Sequence, residues 1–247
     1  WTALSLVYIL WGSTYLGIAV VVSGAPPLLA AGTRFAAAGL IVAIVVAIRL
    51  GWRALAINRR QLAGTALIAT MLLGIGNGGV SLAERYVPSS ASALIIASVP
   101  LWVILLRAWS RERPAAITWG GVAFGLAGVV ALVAVLGHDD PAPGDGYIDV
   151  PGWQVALWLV VILLGTLTWA LGSFMSPRIV KSGWAPDNSM VMVTWQFLIA
   201  GALLAAFGLT RSEDPGALTH VDTRTFVAWL LIVVGAVVAY SCYTWLL

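Results

Sequence analysis

The long apolar runs of this chain contain a few side chains that could bind a polar ligand. Arg34, in the stretch AAGTRFAAAG, is the only charged residue between positions 26 and 48. The other runs contain amides, hydroxyls and aromatic rings, at Trp11, Ser13, Tyr15, Asn77, Trp102, Trp169, Ser173, Gln196, Tyr240 and Tyr243. These groups can donate hydrogen bonds or present flat rings, as the cavity and gates of a ligand-binding membrane protein require. Trp and Tyr also form interfacial belts and Ser allows close helix packing, so both interpretations are open for each residue.

The sequence has no arrangement typical of a catalytic or metal centre. Cys242 is the only cysteine, which excludes an intramolecular disulfide or a CxxC pair. Both histidines, His138 and His220, fall in loops among acidic residues. No Ser-His-Asp arrangement and no phosphate-binding loop is present in the sequence. We therefore expect no enzyme activity, no cofactor and no bound metal.

The composition indicates that lipid is the main solvent of this chain. Hydrophobic residues make up 61% of the 247 positions and charged residues 9%, and the mean hydropathy is +0.97. A soluble domain does not tolerate so apolar a surface. Apolar segments of about 20 residues, the length that crosses a bilayer, follow one another along the chain. They predict eight spans, at 2–22, 27–48, 62–83, 89–106, 115–136, 152–175, 189–209 and 226–247.

The basic residues are unevenly distributed among the loops between these spans. Nine of the 13 Lys and Arg residues lie in alternate loops, at positions 49–60, 107–113 and 178–181, and eight of the ten acidic residues lie in the opposite loops. Basic residues close to spans are retained in the cytoplasm, so this pattern predicts a cytoplasmic amino terminus. The net charge of +3 then reflects membrane topology, and we expect no nucleic-acid partner.

Two parts of the chain are similar to each other. The segment LWGSTYLGI around Trp11 has a looser counterpart in LTWALGSFM around Trp169, and Ala-Pro at 25–26 recurs at 185–186. Arg34-Phe35-Ala-Ala-Ala-Gly is matched by Gln196-Phe197-Leu-Ile-Ala-Gly. The three matches occur in the same order, which indicates an internal repeat.

The repeat unit sets the expected architecture. If the sixth span corresponds to the first, each unit has five helices, and an odd number inserts the second copy upside down. We therefore predict an all-α polytopic membrane protein built from two inverted five-helix repeats. The first is 1–136, an extracytoplasmic linker follows at 137–151, and the second is 152–247. Ten helices are expected and eight are present, so the second repeat has three of its five helices, and two more should follow Leu247 in the intact protein.

Several stretches resemble a known family. AERYVPSSASALIIASVPLW at 83–102 and RERPAAITWGGVAFGLAGVVAL at 111–132 resemble the EamA-type transporters of the drug/metabolite transporter superfamily. WGSTYLG at 11–17 and RF at 34–35 resemble the first two helices of that family, so the first repeat matches along its whole length. In the second repeat TWALGSFMSPR fits, but the helices with the second Pro-containing span and the closing Gly-rich span are absent. The resemblance implies a ten-helix carrier of the bacterial inner membrane, with both termini inside, that moves amino acids or related metabolites.

The leading functional hypothesis is a secondary transporter that exports amino acids or related small metabolites by alternating access. A flippase for a lipid or lipid-linked sugar is an alternative in the same class. A membrane-embedded enzyme would need convergent acids, His or Cys inside the membrane, which the spans almost lack. A non-transporting receptor is disfavoured by the inverted repeat. The expected partners are the lipid bilayer and a small-molecule substrate.

Three residues have more specific expectations. Arg34 lies about 10 Å into the second span at 1.5 Å per residue, where a charge needs a partner such as Glu84 or backbone carbonyls. It could be a strut between helices, a gate or a site for a substrate carboxylate. Glu84 ends the third span, either at the surface or as a titrating group if it turns inward. Pro100 should kink the fourth span, as a hinge or as a static bend.

A glycine series in the fifth span has two interpretations. Gly120, Gly121, Gly125 and Gly128 place small residues on overlapping faces of the predicted helix. Small residues let helices approach closely in a membrane. The series therefore predicts packing within the monomer or, as an alternative, a homodimer face.

Overall fold

The computed structural model describes residues 1–110, 115–136 and 148–246, and within these ranges all regular structure is helical. The α-helices are α1 (Thr2–Gly24), α2 (Pro27–Leu50), α3 (Arg59–Ala69), α4 (Gly78–Ala83), α5 (Ser89–Ile96), α6 (Val99–Trp109), α7 (Ala116–Leu136), α8 (Gly152–Lys181), α9 (Ser189–Thr210) and α10 (Thr223–Leu246). A π-helix, Thr70–Asn77, joins α3 to α4, and two 3₁₀ helices, Trp52–Leu55 and Pro215–Thr219, lie in loops.

Seven helical segments of the described chain are long and apolar enough to cross a membrane. They coincide with seven of the eight predicted spans, so the prediction of an all-α polytopic membrane protein is confirmed. The remaining predicted span is the fifth, which corresponds to α7. Its apolar stretch is shorter, Ala116–Gly125. Residues 137–147 of the predicted linker, and 111–113 of one predicted basic loop, lie outside the described residues.

The sixth span is longer than predicted. The sequence placed its end at residue 175, whereas α8 continues past Pro177 to Lys181. Arg178 and Lys181 occupy its last turn, where positive charge is favourable at the negative end of the helix dipole. The Arg178 guanidinium also donates to the Phe174 carbonyl oxygen, one turn earlier in the same helix, at 2.6 Å.

The third span changes its helical form halfway. The glycine-rich sequence LGIGNGGVS coincides with the end of the π-helix and the start of α4. Gly76 allows close approach to α8, because a Cβ there would lie 3.1 Å from the Trp169 ring. Single π segments within long helices occur frequently at functional sites. This one ends at Asn77, so the irregular backbone and a polar side chain coincide.

The fourth span is two helices, where the sequence predicted one kinked helix. α5 ends at Ile96 and α6 begins at Val99, and in the turn between them the Leu101 N–H donates to the Ser98 carbonyl oxygen at 3.0 Å. Pro100 lies in the first turn of α6, a position where a missing N–H is tolerated. The expected kink is therefore a two-residue interruption of the helix, at Ala97 and Ser98, and a hinge role for Pro100 stays a prediction.

Helices of the two predicted repeats pack in reciprocal pairs. α2 packs against α9, α1 packs against α10, and α8 packs against the third span (α3, the π-helix and α4). In the predicted correspondence of the repeats, α2 and α9 are the second helices of their repeats. In each of the other two pairs, the first helix of one repeat packs against the third helix of the other. Inverted repeats that pack around a common axis are expected to exchange contacts in this way.

The contact between α2 and α9 depends on two glycines. A Cβ at Gly32 would lie 2.8 Å from the Ala205 backbone nitrogen, and a Cβ at Gly201 would lie 2.8 Å from the Ala36 backbone nitrogen. The obstructing atoms are backbone, which cannot move as a side-chain end can. Glycine is therefore required for this close antiparallel packing, which we call the glycine seam.

Polar contacts hold both ends of the glycine seam. At one end the Trp195 indole N–H donates to the Leu55 carbonyl oxygen at 3.0 Å. At the other end the Glu213 carboxylate accepts the Leu28 N–H at 3.1 Å and the Leu29 N–H at 2.8 Å. These N–H groups start α2 and have no partner within the helix. The two ends of the bundle are called the Leu55 end and the Glu213 end below.

The glycines of α7 do not take part in comparable packing in the described chain. A Cβ added at Gly120, Gly121, Gly125 or Gly128 would have no described atom within 4 Å. α7 packs beside α5 and α6. Packing of these glycines within the monomer is thus not seen among the described residues, and the homodimer face stays a prediction.

Candidate functional site

Aromatic rings from both predicted repeats meet at the centre of the bundle. The Trp11 ring of α1 lies 5.5 Å from the Trp169 ring of α8 and almost perpendicular to it, at 89°. From α10, the rings of Tyr240 and Tyr243 lie 5.4 Å and 4.9 Å from Trp11. Edge-on ring pairs at such distances are favourable. The four residues form one cluster, which we call the aromatic layer.

Local backbone features position this layer. Trp169 reaches the centre because α8 crosses the π-helix at two glycines, and a Cβ at Gly165 would lie 3.4 Å from the Gly76 carbonyl oxygen. On the other side, Phe35 and Phe197 of the glycine seam stack at 5.7 Å and contact the Tyr240 ring edge-on. The aromatic layer is therefore supported by both glycine-dependent helix contacts.

A polar chain runs beside the aromatic layer. The Arg34 Nη2 donates to the Asn77 Oδ1 at 2.7 Å, and the Asn77 Nδ2 donates to the Tyr240 hydroxyl at 3.1 Å. The Arg34 guanidinium also lies 4.3 Å from the centre of the Phe35 ring, a cation–π distance. The sequence suggested Glu84 or backbone carbonyls as the partner of Arg34, and the structure shows the Asn77 amide instead. The amide is available because Asn77 ends the π-helix directly before α4, which packs against α2.

One hydrogen-bond donor of Arg34, its Nε, is unpaired. Its side chain is 2% exposed, and its Nε has no hydrogen-bond partner. A buried donor without a partner is costly, by roughly 1–3 kcal/mol and more for a charged group. Arg34 also lines a cavity. This arrangement is suited to an acceptor that enters the cavity.

That cavity has a volume of about 640 Å³, within the range of roughly 300–1,000 Å³ typical of small-molecule sites. It is lined mainly by apolar and aromatic groups. Seven of the candidates predicted from the sequence line it: Trp11, Tyr15, Arg34, Asn77, Trp169, Tyr240 and Tyr243, together with Pro100. We call it the central cavity.

A second cavity of about 1,000 Å³ lies towards the Leu55 end. Ser173 lines it and accepts a hydrogen bond from the Tyr243 hydroxyl at 2.6 Å. Three basic side chains, which belong to the basic loops used to predict the orientation, also line it: Arg107, Arg178 and Lys181. Trp11, Trp169, Tyr243 and Pro100 border both cavities. The aromatic layer and the break in the fourth span thus separate the two spaces.

Four candidates from the sequence line neither cavity. Ser13 is exposed and donates to the Leu10 carbonyl oxygen in its own helix. The Trp102 indole N–H donates to the Thr166 hydroxyl at 3.0 Å and links α6 to α8. Gln196 is buried in the glycine seam and borders neither cavity. Glu84 is 3% exposed, so it turns inward, but it does not border either cavity.

Thr166 was missed by the sequence analysis. It lines the central cavity, accepts the Trp102 indole N–H, and lies 3.3 Å from the Ser98 hydroxyl oxygen at the break in the fourth span. A signal was available, since Thr166 precedes Trp169 by three residues and shares its helical face. A hydroxyl beside a candidate aromatic residue on α8 should therefore have been included.

A cavity enclosed by spanning helices, with aromatic groups from two repeats and one buried cation, defines a membrane transporter rather than a soluble binding protein. A model of the EamA-like transporter family matches residues 2–134. The chain therefore belongs to that family, and the resemblance found from its motifs is confirmed. It is a multi-pass membrane protein.

Two relatives agree with this assignment, and one solved structure has a similar fold. The chain is 31% identical over 246 residues to proteins named uncharacterized inner membrane transporter YedA, from Escherichia coli strain K12 and from Escherichia coli O157:H7. The match covers 99% of this chain and 73% of each relative. A solved crystal structure has a similar fold, with a TM-score of 0.64 at 22% identity, over 97% of this chain and 75% of its own.

Proposed function

We propose that this transporter moves small metabolites that carry a carboxylate, such as amino acids and related compounds, and that it exports them by alternating access. The observation that carries this proposal is the buried Arg34, whose Nε lacks a partner beside the central cavity. Guanidinium groups bind carboxylates through charge-assisted hydrogen bonds. A substrate carboxylate would complete the hydrogen bonding of Arg34.

The rest of the central cavity suits the organic part of such a substrate. Trp11, Trp169 and Tyr240 present ring faces and edges around it. Aromatic walls with a small number of placed polar groups are typical of small-molecule sites. Asn77, held between Arg34 and Tyr240, adds an amide that could exchange its partners for polar groups of the substrate.

Alternating access needs a barrier that opens on one side at a time. In this proposal the barrier is the aromatic layer, because Trp11, Trp169 and Tyr243 border both cavities. The break between α5 and α6 would let the two parts of the fourth span move separately. The second cavity would be the path to the Leu55 end.

A flippase for a lipid or lipid-linked sugar is the second candidate. The observation that favours it is the set of basic side chains, Arg107, Arg178 and Lys181, around the larger cavity. Basic groups at the end of a helix bundle are suited to phosphate headgroups. Movement of a fluorescent phospholipid between leaflets of reconstituted vesicles would support this function over the export of carboxylates.

We further propose that the Leu55 end faces the cytoplasm of a bacterial inner membrane, with the amino terminus on the same side. The unequal distribution of Lys and Arg supports this orientation. Single cysteines at Ser182 and at Thr219, in a Cys242→Ser background, should react differently with a membrane-impermeant maleimide applied to intact cells. Reaction at Thr219 alone is expected, and reaction at Ser182 alone would reverse the orientation.

The transport proposal is tested in proteoliposomes with a panel of labelled amino acids, other carboxylates and uncharged metabolites. We expect exchange of at least one carboxylate, a loss of tenfold or more in Arg34→Gln, and no change in Ser13→Ala, whose side chain bonds only within α1. Gln is the residue at the matching position of the second repeat. Full transport by a normally expressed Arg34→Gln variant would exclude the charge-dependent site, and no exchange of any carboxylate would refute the proposal.

A further inference from the structure

Glu84 is buried without the contacts that a buried carboxylate normally has. It follows α4 directly, is 3% exposed, and neither of its carboxylate oxygens has a hydrogen-bond partner. Buried ionised groups are usually paired and hydrogen-bonded, because burial of an isolated charge is costly. Burial therefore favours the protonated, neutral form of this carboxyl group.

The groups around Glu84 include one cation and one hydroxyl without a partner. The Ser92 hydroxyl of α5 lies close enough to the Glu84 carboxyl group to lower its pKa, but it does not reach the geometry of a full hydrogen bond, and its Oγ has no other partner. Arg34 of α2 and Tyr15 of α1 interact electrostatically with Glu84, yet no ion pair within 4.0 Å joins Arg34 to it. The described part of α8, which packs along α4, has its titratable residues, Arg178 and Lys181, at the opposite end.

Glu84 and Asn77 occupy related positions on the third span. They are seven residues apart, which is about two helical turns or 10 Å along the axis, and they face the same side. Arg34 lies opposite that side and now donates to Asn77, while its Nε remains unpaired. Three groups can therefore compete for interaction with the Arg34 guanidinium: the Asn77 amide, the Glu84 carboxylate and the carboxylate of a ligand in the central cavity.

We propose that Glu84 is a proton-binding site linked to carboxylate binding at Arg34. In the pH range in which Arg34 keeps Glu84 ionised in spite of its burial, a ligand carboxylate that pairs with Arg34 removes the stabilising cation and adds a nearby anion, so Glu84 takes up a proton and becomes neutral. When the ligand leaves, Arg34 stabilises the Glu84 carboxylate again and the proton is released. The linkage rests on the proposed function for the class of ligand.

This linkage fixes how a proton moves relative to the substrate. At a pH at which Glu84 of the free protein is ionised, each ligand carboxylate would cross the membrane together with up to one proton, in the same direction. Export would then be driven by the concentration difference of the substrate itself, and an acidic exterior would oppose it. Ligand affinity should rise as pH falls, by at most tenfold per pH unit over the range in which Glu84 of the free protein is ionised.

The proton site can be tested without knowledge of the substrate. N,N′-dicyclohexylcarbodiimide, a small apolar reagent, modifies protonated carboxyl groups in apolar surroundings, and mass spectrometry locates the adduct. In the intact protein in vesicles we expect modification of Glu84 that declines as pH rises, and none at this position in Glu84→Gln. Glu213 is the internal control, since its carboxylate oxygens are held by two backbone N–H groups at the start of α2.

Variants at Arg34 test the linkage itself. Arg34→Gln removes the cation, as ligand pairing would. The pH at which modification of Glu84 declines should therefore be higher than in the wild type by about one pH unit or more. Arg34→Lys keeps the positive charge, and its profile should stay close to that of the wild type. Absence of modification at Glu84 at every pH, or identical profiles for the Gln variant and the wild type, would overturn the proposal. These outcomes are independent of the transport panel, so failure of the proton site and failure of the proposed function are distinguishable.

Discussion

Arg34 and Gln196 occupy matching places in the two repeats but have different surroundings. Arg34 borders the central cavity and donates to Asn77, whereas Gln196 is buried in the glycine seam and borders neither cavity. Trp11 and Trp169, which also match, both border both cavities. The comparison teaches that the two predicted repeats supply matching aromatic groups, Trp11 and Trp169, to the candidate site, while its charged group comes from the first of them.

The glycine seam provides the largest expected effect and tests the symmetric part of this comparison. Gly32→Ala and Gly201→Ala each place a Cβ 2.8 Å from a backbone nitrogen of the partner helix. Each should lower the free energy of unfolding by about 1–3 kcal/mol, as overpacking does. Thermal unfolding in detergent, followed by circular dichroism, measures this loss.

Reciprocity adds a sharper requirement to the seam prediction. Both variants push the same two helices apart, so the double variant should be less destabilised than the sum of the single ones. Gly121→Ala, in α7, is the control, because its Cβ would meet no described atom within 4 Å. If only one of the seam variants is destabilised, the two repeats do not contribute equally to the contact.

A smaller effect is expected from the two tryptophans of the aromatic layer. Trp11→Ala and Trp169→Ala each remove ring contacts worth roughly 0.5–1.5 kcal/mol, so each should raise the KM for an exchanged compound about threefold to tenfold. Phe in either place should retain most of the affinity. The measurement is counterflow in proteoliposomes, with Trp153→Ala, an exposed residue, as the control. Equal effects would support a site shared by both repeats, whereas a neutral Trp169→Ala would assign it to the first repeat alone.

The positions of the spans were predictable because bilayer thickness fixes the length of an apolar segment. Local breaks were partly predictable, since Pro100 marks the interruption of the fourth span and the LGIGNGGVS stretch marks the π-helix. The side-chain contacts of the candidate site were less predictable. Arg34 and Asn77 are 43 positions apart, and their contact depends on how α2 packs against the third span, which hydropathy does not encode.

Helix rotation explains the candidates that lie elsewhere. Ser13 is two residues from Trp11 and differs from it by about 200° around α1, so only Trp11 faces the central cavity. Glu84 resembles a surface residue in the sequence because it ends a span, and only the packing of α1, α2 and α5 around it shows that it is buried. The sequence therefore predicted which residue types could form a site and how deep in the membrane they lie. It did not predict which face of its helix each side chain occupies.

The smallest expected effect concerns the starts of the matching helices α2 and α9. α9 is capped locally, since the Asn188 side chain accepts from the Met190 and Val191 backbone N–H groups. α2 follows Pro26, which offers no side-chain acceptor, and Glu213 supplies the acceptors from a distant loop.

Asn188→Ala should cost about 1 kcal/mol, the usual value of a cap, which corresponds to a fall of about 2–4 °C in Tm. Glu213→Ala should cost at least as much, because the same carboxylate also joins the end of α9 to the start of α2. Thermal unfolding in detergent compares the two, and Asp214→Ala, whose carboxylate bonds only within the neighbouring turn, is the control. If Glu213→Ala unfolds at the wild-type temperature while Asn188→Ala unfolds at a lower one, α2 needs no cap and the Glu213 carboxylate has no structural role.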